Sequence, residues 1–167
     1  MAKRYRRPAP PGEFQDPLKN YEPPTYADEL ERSLCEQSVT AIRSQPVTVV
    51  APDTSVERAL EVLDGLDIGC LLVAEDDRLV GIFTERDVLD KVAVRYQELK
   101  EQPVREVMTP DPVVLYETDN PAAALCVMTA HGMRHVPVLD VNNQIVGVVS
   151  PKRITTFLQE HFETATS

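Results

Sequence analysis

A long internal repeat constrains this chain more than any other feature of its sequence. Residues 46–89 read PVTVVAPDTSVERALEVLDGLDIGCLLVAEDDRLVGIFTERDVL, and residues 112–155 read PVVLYETDNPAAALCVMTAHGMRHVPVLDVNNQIVGVVSPKRIT. Pro46-Val47 aligns with Pro112-Val113, Ala59-Leu60 with Ala124-Leu125 at an offset of 65, and Gly81 with Gly147 at an offset of 66. Such a repeat marks one supersecondary unit used twice. A copy of roughly 50 residues is too small to bury a sufficient core alone. The two copies are therefore expected to face each other as one pseudo-symmetric unit.

Each copy decodes as strand, helix, strand, strand, helix, an α/β (α+β) arrangement. In the first copy Val47, Val49 and Val50 suggest a short strand. Thr54 and Glu57 have capping-box spacing ahead of a helix with the apolar stripe Val56, Leu60 and Leu63, and Gly65 lies near its end. Leu71 to Ala74 reads as a buried strand, Asp76-Asp77-Arg78 as a tight turn, and Leu79 to Phe83 as the returning strand of a hairpin. Thr84 then opens the last helix. In the second copy Asn120 caps a helix with Pro121 in its first turn, and Gly132 ends it. Val136 to Leu139 and Ile145 to Val149 form the hairpin, and Ser150-Pro151 starts the final helix.

The chain thus divides into a Pro-rich arm (1–25), a leading helix (26–40), a first motif (41–100), a second motif (101–162) and a short flexible tail (163–167). The arm holds six of the fourteen prolines and no apolar period, which predicts a flexible segment. Its Lys3, Arg4, Arg6 and Arg7 suit contact with an acidic partner. In the leading helix Leu30 and Leu34 share one face, which suits packing across the edge of the domain that follows.

Composition narrows the function classes. Hydrophobic residues make up 43%, aromatics only 5%, and Trp is absent, so the core must be aliphatic. No apolar run is long enough for a transmembrane helix, and the basic start lacks the apolar stretch of a signal peptide. Cys35, Cys70 and Cys126 are scattered and odd in number, which fits reduced thiols and a cytoplasmic location. Net charge is −10; up to Ala27 there are five basic and three acidic side chains, and beyond it twelve and twenty-four. So acidic a body disfavours nucleic acid and requires any anionic ligand to be held by a few local cations. His131 and His135, four apart with Cys126 nearby, would form a metal site only on a continuous helix, which Gly132 opposes. A Cys–His catalytic pair would lack a third orienting group, and no Gly-rich phosphate loop is present. Neither a metal nor catalysis is expected.

The segment Gly81-Ile82-Phe83-Thr84-Glu85-Arg86-Asp87 follows the pattern Gly, two apolar residues, Thr or Ser, two variable residues, Asp. Gly147-Val148-Val149-Ser150-Pro151-Lys152-Arg153 follows it with Arg in place of the acid. The run from Met133 to Val138 and the entry Val107-Met108-Thr109-Pro110 add to the match. On these residues the chain resembles the CBS-domain family, as a tandem pair or Bateman module, over residues 36–160. Lys152-Arg153-Ile154 is also similar to the first CBS pair of the AMP-activated protein kinase gamma subunit, where a Lys-Arg-Ile run replaces the ribose-binding Asp motif.

The resemblance implies one nucleotide site and one degraded site. In the first, Asp87 would accept hydrogen bonds from both ribose hydroxyls, and Thr84 at the helix start would donate to a phosphate. Met108, Val113 and Met133 would line the adenine slot, beside Thr109 and Val136. Arg134 and His135 would face the phosphates, and Lys152 would add a cation. The degraded second site would comprise Arg43, Val47, Ile68, Gly69, Cys70, Ser150 and Arg153, left empty, weak, or holding a simpler anion. Thr84-x-x-Asp87 is equally a capping box, although copy two keeps a cap, Ser150, without the acid. The expected function is a regulatory, non-catalytic module sensing AMP, ADP or ATP, alone or with Mg²⁺, and signalling to an effector protein, assembled as a homodimer. The alternatives are a dimerisation or scaffold module with a vestigial site, or a sensor of NADH or S-adenosylmethionine.

Overall fold

The computed structural model describes residues 22–165, so most of the Pro-rich arm lies outside the described residues. In chain order the elements are α1 (Glu29–Glu36), β1 (Arg43–Ser44), β2 (Val49–Val50), α2 (Val56–Leu66), β3 (Cys70–Glu75), β4 (Arg78–Thr84), α3 (Glu85–Asp87), α4 (Tyr96–Leu99), β5 (Thr109–Pro110), β6 (Leu115–Tyr116), α5 (Pro121–His131), β7 (Val136–Leu139), β8 (Ile145–Val149) and α6 (Pro151–Ala165). They build a mixed α/β fold of two four-stranded sheets, ordered β2-β3-β4-β5 and β1-β8-β7-β6.

Each sheet is completed by a strand from the segment that precedes the other copy. β5 pairs antiparallel with β4, Ile82 opposite Thr109, and β1 pairs antiparallel with β8, Arg43 opposite Val149. Cutting the chain at residue 100 therefore assigns β1 and β5 to the copies whose sheets they do not join. A side chain from each exchanged segment lies directly on a glycine. A Cβ on Gly81 would fall 2.3 Å from the Met108 sulfur, and one on Gly147 would fall 2.8 Å from Cδ of Arg43.

The hairpins form where the alternation and turn residues indicated. Asp76 and Asp77 both take positive φ in the two-residue connection of β3 to β4, a conformation Asp tolerates better than most residues. Helix caps differ in one detail. Ser55, not Thr54, caps α2, accepting from the Arg58 amide at 3.2 Å, while the Thr54 carbonyl accepts from Val104 at 2.7 Å. The helix runs past Gly65 to Leu66 and ends on Asp67 at φ 51. Asn120 caps α5, and Gly132 at φ 63 terminates it.

The last helices of the copies diverge. α6 is continuous for 15 residues and runs into the segment read as tail. Its counterpart in copy one breaks after α3 into a π turn over Val88–Val92 and a 3-10 turn over Ala93–Arg95. The leading helix α1 is shorter than expected, capped by Asp28, and packs against α5 and α6, so it belongs to the second lobe. Each lobe buries its own aliphatic cluster, one around Val56, Leu71 and Phe83 and one around Ile42, Val136 and Phe157. A third cluster, Cys70, Leu72 and Ile82 with Val47, Ile145 and Val148 against them, joins the two sheets. The lobes thus close their cores by exchanging strands as well as by facing each other.

Candidate nucleotide site

The strand-to-helix junction of copy one faces the loop that ends α5 across a cavity of about 230 Å³. Thr84, Asp87 and Thr109 line one wall, and Met133, Arg134 and His135 line the other. Six residues named from sequence thus meet in one cleft built by both copies. It opens toward a groove of about 630 Å³ along α2 that shares Gly69, Glu85, Arg86 and Arg134 with it.

Asp87 is 5% exposed, yet it is not a free carboxylate. Its Oδ2 accepts from the Thr84 amide at 2.9 Å and the Thr84 hydroxyl at 2.7 Å, within a complete capping box. Its Oδ1 accepts from Lys91 Nζ at 2.7 Å and from the Thr109 hydroxyl at 2.9 Å. A carboxylate offers about four acceptor sites, and protein groups fill them all. Burial alone would raise the Asp87 carboxyl, but the donors from Lys91, Thr84 and Thr109 hold it below the ordinary range.

Lys91 was not legible as a site residue. The π turn returns its ammonium to Asp87, and the same ammonium donates to the carbonyls of Val107 at 2.9 Å and Met108 at 3.1 Å. One lysine therefore ties the copy-one helix to the segment leading into copy two. Through Thr109, Asp87 also holds the exchanged strand β5. Arg153, at the equivalent place, holds the other exchange, donating from Nη2 to the Ala41 carbonyl at 3.3 Å. Both copies use this position to fasten the incoming segment, with opposite charge.

His135 departs from its expected part as a cation. Burial lowers its pKa, Arg134 lowers it further, and Glu85 only partly opposes them, so the ring is neutral near pH 7. It sits where the copies meet, since a Cβ on Gly69 would lie 2.7 Å from its Cε1. Positive charge in the cleft falls to Arg134 and to Arg86, whose Nη1 donates across it to the Gly132 carbonyl at 3.0 Å.

Four other residues expected here stand elsewhere. Met108 is packed on Gly81 in the first lobe's core, and Val136 is fully buried in the second lobe's. Val113 is 37% exposed and lines neither cleft. Lys152 lines the second cleft, because the exchanged strands set the start of α6 beside copy one's first strand. That cleft, about 360 Å³, gathers Val47, Ile68, Gly69, Cys70 and Ser150 as expected. The Cys70 thiol is pushed up to about 12 by burial and by Glu85, so it stays protonated. Arg43 and Arg153 line an adjoining recess that shares Ser44 with this cleft.

This two-lobed, strand-exchanged arrangement is that of a CBS pair, and the family profile of the CBS domain matches residues 39–94 and 104–160. The chain belongs to the CBS-domain family. It is 32% identical over 113 residues to a 17.7 kDa protein of Acidianus ambivalens, covering 67% of each chain. It is 34% identical over 109 residues to inosine-5'-monophosphate dehydrogenase of Methanocaldococcus jannaschii, covering 65% of this chain but 21% of that enzyme. Among solved structures, CBSX2 in complex with AMP is 27% identical, with a TM-score of 0.66 over 74% of this chain and 97% of that one. A CBS-domain-containing protein from Agrobacterium tumefaciens is 31% identical, with a TM-score of 0.62 over 68% and 89%. Among the described residues no helix is long and apolar enough to cross a membrane.

Proposed function

We propose that this chain is a regulatory module that binds an adenine nucleotide in the first cleft and signals its occupancy to an effector protein. The observation that carries the reading is a buried carboxylate, Asp87, facing Arg134 across a cleft whose walls come from both copies. Asp87 supplies the acceptor for a ribose diol, Arg134 a cation for the phosphates, and Ile82 and Met133 an apolar surface for the base. The similarity to CBSX2, solved with AMP, supports this assignment. At about 230 Å³ the cleft is below the usual range of roughly 300–1,000 Å³ for small-molecule sites. Because protein donors fill its acceptor sites, Asp87 binds a ribose diol only by exchanging Lys91 or Thr109 for the hydroxyls. Exchange of Lys91 frees an ammonium that also holds the Val107 and Met108 carbonyls, which links occupancy to the connection between the copies.

The same reading makes the module non-catalytic, cytoplasmic and homodimeric. Leu66 and Leu89, 56% and 70% exposed, give its helical face apolar surface for a second copy. A scaffold with a vestigial site is the competing reading, favoured by the fact that protein donors already saturate Asp87.

Melting temperatures measured with AMP, ADP, ATP, NADH and S-adenosylmethionine, with and without Mg²⁺, separate the two. A ligand at about a hundred times its dissociation constant adds roughly 2.7 kcal/mol, a rise of several degrees at this size. The nucleotide reading expects that rise in the native protein and its loss in Asp87→Ala. No rise with any ligand sinks it in favour of the scaffold, and an equal rise in Asp87→Ala sinks the assignment to the first cleft.

A further inference from the structure

We infer that the recess of Arg43 and Arg153 is a binding site for a phosphate-type oxyanion. Thr40, Ser44 and Gln45 complete its lining, around a volume of about 380 Å³, and no carboxylate is among these five residues. Two guanidinium groups therefore share a cavity with no opposite charge on its walls. Arg43 Nη1 and Arg153 Nε are both buried and have no hydrogen-bond partner. Buried donors are nearly always satisfied, and charged ones are the most costly to leave unmade. Arg153 spends Nη2 on the Ala41 carbonyl, which fixes its guanidinium beside the strand that carries Arg43. Arg43 is itself held by close packing of its stem on Gly147. Both guanidinium groups are thus held at the wall of the recess, and an anion reaches the buried Arg43 Nη1 and Arg153 Nε by a small turn of each group.

A guanidinium fork matches the oxygen spacing of phosphate and carboxylate. Charge favours phosphate, since a group carrying roughly −1.5 to −2 at neutral pH balances two arginines and a carboxylate leaves one uncompensated. Copy one has Asp87 at the place of Arg153, so the handle presented to a ligand is inverted: an acceptor for hydroxyls there, donors for an anion here. The site is separate from the Asp87 cleft and does not rest on its assignment. The oxyanion can arrive free or as the end of a nucleotide lying in the adjoining cleft against Val47 and Ile68.

Calorimetric titration of the full chain with inorganic phosphate, at ionic strength matched with sodium chloride, tests the inference. Saturable one-to-one binding is expected, weakened at least about tenfold, or ~1.4 kcal/mol, in Arg153→Met and in Arg43→Met, and partly restored in Arg153→Lys. A single cooperative melting transition in each variant checks folding. A second arm titrates AMP and adenosine into Asp87→Asn, which removes the buried carboxylate of the first cleft. AMP binding that needs Arg153, with none for adenosine, identifies a nucleotide's phosphate; binding of inorganic phosphate alone identifies the free ion. Absence of both responses in the native sequence and in Asp87→Asn, or responses unchanged in Arg43→Met and Arg153→Met, overturns the site.

Discussion

The two copies part company six residues after their matching glycines. In copy one, Asp87 sits at the helix start and Lys91, four residues on, folds back to it through a π turn. In copy two, Arg153 holds Asp87's place and Phe157 holds that of Lys91, in an unbroken α6. Phe157 is 4% exposed in the second lobe's core. The difference teaches that a single repeat position serves packing in one copy and polar control in the other. The backbone follows, since a π turn is tolerated where a charged group needs to reach back and a regular helix forms where an apolar side chain seeks the core. Copy two keeps this position in its core, and copy one spends it on polar contacts to the segment between the copies.

The sharpest test of that contrast compares the equivalent residues. Phe157→Ala is expected to cost about 3–5 kcal/mol through cavity formation. Lys91→Ala, whose ammonium is partly exposed, should cost about 1 kcal/mol or less and tighten nucleotide binding, because Asp87 Oδ1 loses one of its two protein donors and keeps only Thr109. Urea denaturation of both variants checks the order; equal losses would break the division into a core-packed and a polar position. Next in size is Asp87→Ala, expected to cost about 2 kcal/mol by removing the N3 half of the Thr84 capping box together with the tie to β5. Arg153→Ala, which removes one bond to a carbonyl, should cost less. The two are read from the same denaturation series.

A third test addresses the meeting point of the copies. Gly69→Ala places a methyl within 2.7 Å of the His135 ring, and overpacking of that kind costs about 1–3 kcal/mol. Its lower end is expected, since the ring can turn into either cleft, and ligand response should change at both sites. The smallest effect is in pH. His135 has a folded pKa below its ordinary 6.5, so the unfolded chain takes up a proton that the folded chain resists. Stability is full above the unfolded value and falls as pH drops through 6.5 toward the folded value. His135→Gln should lose less of its melting temperature between about pH 7.5 and pH 5. Asp87, also depressed, governs a lower window: its contribution is complete above the unfolded carboxyl value of 3.8 and is lost on further acidification. The native protein should therefore show two separate acid losses, and a His135→Gln curve parallel to the native one would remove the first.

Much of the fold was legible from particular residues. The Asp76-Asp77 turn, Asn120 as cap, Gly132 as stop and the strands on either side of them follow from local preference, which needs no knowledge of neighbours. Thr84 and Asp87 stand out on the repeated motif, while Thr109, Met133, Arg134 and His135 were named from the family resemblance; all six line one cleft. Lys91 was missed because its meaning depends on a π turn, and a lysine in a helical stretch reads as solvated. Lys152 was placed in the wrong cleft because strand exchange, not spacing, decides which cleft the start of α6 faces. β1 and β5 are two residues each, below what alternation can reveal, though Arg43 and Thr109 stand 66 residues apart, the repeat's own offset.

The sequence by itself determined the duplication, the order of elements, the aliphatic core and the inversion of charge between Asp87 and Arg153. These follow from periodicity, capping chemistry and residue identity, which are local. Tertiary structure alone decided that Asp87 is saturated, that His135 is neutral, and that Arg43 and Arg153 leave buried donors unmet. Burial and partner geometry set each of these, through contacts that range from one helical turn between Asp87 and Lys91 to 112 residues between Ala41 and Arg153.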